Sequence, residues 1–184
     1  DLFDFELPDE LIALRPARPR DSARFLHVRA DGTLEDRVVS DAVSLFRSGD
    51  LLVFNDTRVI PARLKGVRER DGNVVEIEAT LLERLSPSRW SALAKPGKRL
   101  REGDRVRFGA REDRACLSGA LDATVVAKSE EGVITLAFDL SGPDLDGAIA
   151  TAGVMPLPPY IAAKRGEDEQ DRADYQTIYA AHDG

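Results

Sequence analysis

The chain has 184 residues, 42% hydrophobic and 32% charged, which fits one large folded domain or two small ones and excludes a disordered chain. Its 26 basic against 33 acidic side chains leave a net charge of −7, which speaks against a uniformly basic nucleic-acid binder and leaves local basic patches open. The lone Cys116 excludes an intrachain disulfide and fits a reducing, cytoplasmic setting, while two distant histidines, His27 and His182, speak against a Cys/His zinc site.

The acidic start DLFDFELPDE does not read as a signal peptide, and as it lacks methionine the native start is expected to have been trimmed or left out. No apolar run is long enough to span a bilayer. In DFELPDELIAL, Pro8, Asp9 and Glu10 suit the first turn of a short helix. Arg15 to Arg24 is turn-rich and basic. Phe25 to Arg29 predicts a strand, closed by the Asp31-Gly32 turn. Ser40 to Ser48 predicts a short helix with Gly49 just past its end. Leu51 to Phe54, LLVF, predicts a strand buried on both faces.

From Arg58 to about Leu140 the character changes. Val75, Ile77, Ala79 and Leu81 alternate with Glu76, Glu78 and Thr80, the period of a half-buried strand. Trp90 to Ala94, Arg105 to Phe108, Thr124 to Ala127 and Val133 to Phe138 read as further short strands, the last two joined as a hairpin across Lys128 to Gly132. Close spacing of short strands predicts a small antiparallel barrel or sandwich. One echo stands out: RSGDLLVF (Arg47–Phe54) and REGDRVRF (Arg101–Phe108) share Arg-x-Gly-Asp before apolar residues, most simply a Gly-Asp turn feeding a strand.

Four stretches could carry chemistry. Asn55 to Arg63, NDTRVIPAR, follows a predicted strand, where ligand loops tend to lie. Its Arg58 and Arg63 offer planar forks for carboxylate or phosphate, though a capped turn with surface arginines is the plainer reading. Arg15, Arg18, Arg20 and Arg24, stiffened by prolines, could meet phosphates as a strip or merely pair with nearby carboxylates. KPGKRLREGDRVR is a second basic stretch, with Lys95, Lys98, Arg99, Arg101, Arg105 and Arg107 against Glu102 and Asp104. GVMPLPPYI (153–161) sets three prolines among apolar residues, a stiff segment suited to a pocket wall, and DYQTIY (174–179) places Tyr175 and Tyr179 on one face if helical.

Taken in order, LIALRPARPRDSARFL, DLLVFNDTRVIPARLKG, LAKPGKRLREGD, GVMPLPPYI and DYQTIYA resemble the S-adenosylmethionine:tRNA ribosyltransferase-isomerase family of queuosine biosynthesis, from Phe3 to Gly184. The resemblance implies transfer and isomerisation of the ribosyl part of S-adenosylmethionine onto 7-aminomethyl-7-deazaguanine at the wobble position of tRNAs with a GUN anticodon. Epoxyqueuosine forms, adenine and methionine leave, and no metal is required. It implies that Asp56 and Tyr160 are catalytic, Asp56 as base and Tyr160 stacking on a base. It implies that Asn55, Thr57, Arg58, Arg63, Pro158, Pro159, Tyr175 and Gln176 line the substrate site. Arg15, Arg20, Lys95, Lys98 and Arg99 are the expected tRNA contacts, on a monomeric cytoplasmic protein. The family continues with a second half that opens on a histidine-bearing motif, so this chain is expected to correspond to about the first half.

The expected fold class is α/β plus β. Residues 1–61 and 151–184 form a discontinuous, incomplete α/β catalytic domain, and residues 62–150 form an inserted small antiparallel β-barrel domain. The proline segment and the Asp56 loop are expected to line one cavity. Two other functions stay open from the residues alone: a non-catalytic RNA-binding barrel module, and an adaptor that uses the proline segment.

Overall fold

A computed structural model of the chain describes residues 4–109, 121–129 and 132–183. Cys116 and the tip of the predicted 128–132 hairpin lie outside them. The chain divides into two compact units, Asp1–Asn55 with Pro159–Gly166, and Asp56–Pro158 with Glu167–Gly184.

The second unit is built on a closed antiparallel barrel of β4 (Arg63–Arg70), β5 (Asn73–Ser86), β6 (Arg89–Lys95), β7 (Arg105–Phe108), β8 (Leu121–Lys128) and β9 (Val133–Phe138), in the order β4-β5-β6-β9-β8-β7. The period-two pattern of the sequence becomes the inside of this barrel. Ile77, Ala79 and Leu81 of β5, Val106 and Phe108 of β7, and Ile134, Leu136 and Phe138 of β9 are all buried in one core. Hydrophobic burial drives the assembly and closure leaves no free edge. The β4–β5 hairpin turns on Asp71 and Gly72, both at positive φ, the two-residue turn whose twist matches the strands. The barrel closes where Gly66 of β4 faces Phe108 of β7. A Cβ on Gly66 would sit 2.2 Å from the Arg107 carbonyl oxygen, so the seam admits only glycine.

Helix α1 (Gly142–Ala152) belongs to this core, with Leu145 and Ile149 one turn apart and fully or almost fully buried. It ends at Gly153, whose amide bonds the Ile149 carbonyl at 2.8 Å. A Cβ there would meet the Pro61 carbonyl oxygen at 1.9 Å, so the chain crosses itself at a point only glycine allows. Directly after the crossing, Val154 and Arg63 exchange backbone hydrogen bonds. The proline segment then alternates, Met155 and Leu157 buried and Pro156 and Pro158 half-buried. Prolines thus take the positions that need no donated ladder bond. The unit also holds the two-residue strands β3 (Thr57–Arg58) and β10 (His182–Asp183), paired in parallel, and the one-turn helix α3 (Asp171–Asp174).

The first unit has one antiparallel hairpin, β1 (Arg24–Val28) with β2 (Leu34–Val38), plus 3₁₀ turns at Asp9–Leu11, Arg20–Ser22 and Val39–Leu45, and the short helix α2 (Pro159–Ala162). The strand and the Asp31-Gly32 turn fall where the sequence predicts them. The two predicted helices shorten to 3₁₀ turns. The expected burial of Leu51–Phe54 is corrected: these residues form no regular strand and are 47% to 87% exposed. An apolar run becomes a buried strand only when neighbouring strands satisfy its backbone, and none among the described residues pairs with it.

Candidate functional site

In the second unit, three of the singled-out stretches are fastened together by side chains that grip backbone. Gln176 acts like a strand partner for Val59. Its Oε1 accepts from the Val59 amide at 2.8 Å and from the Thr177 amide at 3.0 Å, and its Nε2 donates to the Val59 carbonyl at 3.2 Å. Arg63, half-buried at the start of β4, donates through Nη2 to the Leu157 carbonyl at 3.1 Å and through Nη1 to Glu167 at 3.1 Å. Its Nε lies 3.7 Å from Glu78 and makes no hydrogen bond. Lys65 joins the same Glu167 carboxylate at 2.5 Å. Arg172 donates to the Gly153 carbonyl at 3.0 Å. Charged donors on carbonyls hold backbone more tightly than neutral ones, so the loop before β4, the proline segment and the 174–179 stretch form one braced junction.

The junction displays Asp56, Thr57 and Arg58, all exposed. The Asp56 carbonyl accepts from the Ala181 and His182 amides at 2.8 and 3.2 Å, and its carboxylate lies 3.7 Å from His182 Nε2. His182 was not singled out as a site residue. The parallel pairing of β3 with β10 brings it there, and no local sequence pattern marks it. Arg58 and Thr57 each have further interactions. Tyr175 is half-buried. Arg63 reaches the proline segment from the 55–63 loop, and the Asp56 carboxylate lies beside the His182 imidazole.

In the first unit, Asn55 ends the exposed apolar run, while Pro159 and the exposed Tyr160 open α2. Arg15, Arg18 and Arg20 each hold an interaction of their own. A hollow of about 550 Å³ is lined by His27, Arg29, Glu35, Arg37 and Arg47. Glu35 is its hub. Hydrogen bonds from Arg29 at 2.8 Å, from Arg37 at 2.7 and 2.9 Å and from His27 at 3.2 Å pull its carboxyl down to about 2. One carboxylate thus engages two guanidiniums and an imidazole.

The barrel unit carries the contrasting case. Lys95, Lys98, Arg99 and Arg101 are all exposed, and the described residues place no carboxylate within ion-pair distance of any of them. Arg105 and Arg107 differ, being paired with Asp139 and Asp122. Among the described residues no group of three or more His, Cys, Asp or Glu side chains is arranged to hold a metal ion, and no helix is long and apolar enough to cross a membrane.

A closed small barrel with four exposed basic side chains on its Lys95–Arg101 loop, together with a braced display of Asp56, Thr57 and Arg58, defines the class of protein. The chain belongs to the queuosine biosynthesis protein family, whose model matches residues 1–184. It is 65% identical over 182 residues to an S-adenosylmethionine:tRNA ribosyltransferase-isomerase of Phenylobacterium zucineum, covering 99% of this chain and 51% of that protein. It is 63% identical over 187 residues to the protein of the same name in Rhizobium etli, covering 100% of this chain and 52% of that one. A solved S-adenosylmethionine tRNA ribosyltransferase from Thermotoga maritima is 32% identical, covering 89% of this chain and 53% of its own, with a TM-score of 0.36. The chain spans about half the length of the curated relatives it matches.

Proposed function

We propose that this chain takes part in transferring and isomerising the ribosyl moiety of S-adenosylmethionine onto 7-aminomethyl-7-deazaguanine at the wobble position of tRNA with a GUN anticodon. The product is epoxyqueuosine, and adenine and methionine leave. The observation that carries this reading is the family match along the whole chain, together with relatives of 65% and 63% identity that bear the ribosyltransferase-isomerase name.

The chemistry asks for a base near the sulfonium carbon, an anion-binding group for the methionine carboxylate, and a surface for tRNA phosphates. Asp56 is the proposed base, with His182 Nε2 3.7 Å from its carboxylate as a proposed proton relay. Arg58 is the proposed carboxylate or phosphate fork, with Asn55 and Thr57 as hydrogen-bonding neighbours. Arg63 and Gln176 are proposed to act by holding the proline segment and Val59 in place, since the Arg63 Nη groups and the Gln176 amide are spent on backbone and Glu167. Tyr160 is proposed to stack on a base, with Pro158, Pro159 and Tyr175 as apolar lining. Lys95, Lys98 and Arg99, with Arg15 and Arg20, are the proposed tRNA contacts. No metal is called for, because the sulfonium already activates its own leaving group. In this reading, 62–150 is an inserted domain, 1–61 with 151–184 is part of a discontinuous catalytic domain, and the protein works as a cytoplasmic monomer.

The test is adenine release from S-adenosylmethionine on precursor-bearing tRNA, with a full-length relative assayed alongside. Asp56→Ala is expected to lower turnover at least a hundredfold, within the range of general-base losses, without lowering the melting temperature. An unchanged rate removes Asp56 from the mechanism. tRNA binding by this chain without adenine release would favour the RNA-binding module that the basic barrel loop suggests.

A further inference from the structure

The backbone of the loop Lys95–Arg101 is held by two cations from other strands, the buried Arg68 and the exposed Lys128. Arg68 stands at an inward position of β4, in step with Leu64 and Gly66, and is only 3% exposed. A charged side chain at a core position of a barrel strand needs a reason, and its Nη2 supplies one by donating to the Arg99 carbonyl at 3.1 Å. Its Nε makes no hydrogen bond and lies 4.0 Å from the buried Asp104 carboxylate. Asp104 also takes the Arg101 amide at 2.8 Å and Arg70 at 3.1 Å, which fastens the far end of the loop. From β8, Lys128 Nζ donates to the Gly97 carbonyl at 2.9 Å and to the Leu100 carbonyl at 3.1 Å. Leu100 itself is sunk in the core.

Three loop carbonyls, those of Gly97, Arg99 and Leu100, are therefore tied to two cations, while Lys95, Lys98, Arg99 and Arg101 are exposed. Gripping the backbone rather than the side chains sets the spacing of those four charges before any partner arrives. The ordering cost of the loop is met during folding and not at binding.

We propose that Arg68 and Lys128 are positioning residues for RNA-backbone recognition. They pre-order the Lys95–Arg101 loop so that Lys95, Lys98, Arg99 and Arg101 meet successive phosphates without themselves touching RNA. The proposal rests on the reading of this loop as a tRNA contact, and it adds Arg101 to the contacts and two residues that act through the loop backbone.

Two measurements separate the roles. Hydrogen exchange of the Arg99 and Leu100 amides, read on the whole chain without RNA, reports the clamp. Binding of a tRNA transcript across a salt series reports the phosphate contacts. Lys128 is exposed, so Lys128→Met is expected to keep the fold. It should speed exchange of both amides and weaken tRNA binding about three- to tenfold, with the slope of log K against log salt unchanged. Lys98→Ala should leave exchange alone and flatten the slope by about 0.7 to 0.9. Arg68→Met should repeat the Lys128→Met pattern wherever the barrel amides stay protected. A Lys128→Met protein with wild-type exchange and affinity overturns the positioning role. So does one whose slope falls as it does for Lys98→Ala, because Lys128 would then contact phosphate directly. A wild-type chain that ignores tRNA at low salt overturns the RNA reading, and the exchange arm, which needs no RNA, tells that failure from a failure of the clamp.

Discussion

Arg47–Phe54 and Arg101–Phe108 begin with the same turn and end differently. In each, the aspartate carboxylate accepts the amide of the arginine three residues before it, Arg47 from Asp50 and Arg101 from Asp104, both at 2.8 Å. In each, the aspartate amide bonds that arginine's carbonyl at 3.1 Å, and the intervening glycine, Gly49 or Gly103, has positive φ. Beyond the turn they part. Val106 and Phe108 enter β7, pair on both sides and are at most 1% exposed. Leu51–Phe54 is the more apolar run, yet it pairs with no strand among the described residues and stays exposed. The turn is a four-residue matter; the strand is decided by what lies beside it. Apolar content alone does not make a buried strand of a segment that no neighbouring strand flanks.

The contrast can be broken most sharply at the aromatic that ends each stretch. Phe108→Ala should destabilise the barrel unit by about 3 to 5 kcal/mol, whereas Phe54→Ala should change stability by no more than about 0.5 kcal/mol in chemical denaturation. Equal losses would mean that the 51–54 run is packed after all.

The aspartates come next. Asp104→Ala strands the buried Arg68 and frees Arg70, and should cost about 3 kcal/mol; Asp50→Ala forfeits exposed turn bonds and should cost about 1 kcal/mol or less. The glycines should behave alike. Neither has an atom within 4 Å of an added Cβ, so Gly49→Ala and Gly103→Ala should each cost about 1 kcal/mol, from backbone strain alone. A large difference between them would show that one turn is not the local unit it looks to be.

The smallest effect belongs to the first unit's hairpin and is a matter of pH. Glu35 is held at about 2 rather than 4.5, first by Arg29, then Arg37 and His27. A carboxyl lowered in the folded state stabilises fully above its unfolded value and loses that contribution as pH falls through the folded one. The β1–β2 amides should therefore begin to lose protection below about pH 4.5 and complete the loss near 2, and Glu35→Gln should remove that dependence. A hairpin that keeps its protection unchanged to pH 2 would break the prediction.

Much of the barrel was legible because period-two alternation is a direct image of a half-buried strand. Ile77, Ala79 and Leu81 are inside as their spacing predicts. The three motif stretches were legible as motifs but not as a junction. Arg63 reads as a ligand fork, and it spends its Nη groups on the Leu157 carbonyl and Glu167, 94 and 104 residues away. Gln176 reads as a substrate contact, and it grips Val59, 117 residues away. His182 gains its place beside Asp56 from a parallel pairing that no local pattern encodes. Arg68 was within reach of sequence reasoning, because a charged residue in register with Leu64 and Gly66 marks an anomaly.

Short-range chemistry was written in the chain: the Gly-Asp turns, the alternation of the barrel strands, the stiffness around Pro156 and Pro158, and the basic run at Lys95. Each depends on residues within a few positions of one another, where backbone sterics and side-chain reach decide the outcome. Which strands pair, which arginine is spent on backbone, which histidine meets Asp56 and which apolar run stays in water were decided only by the tertiary structure. Those outcomes depend on hydrogen-bond partners and burial supplied by distant segments, and a linear sequence carries no direct record of that neighbourhood.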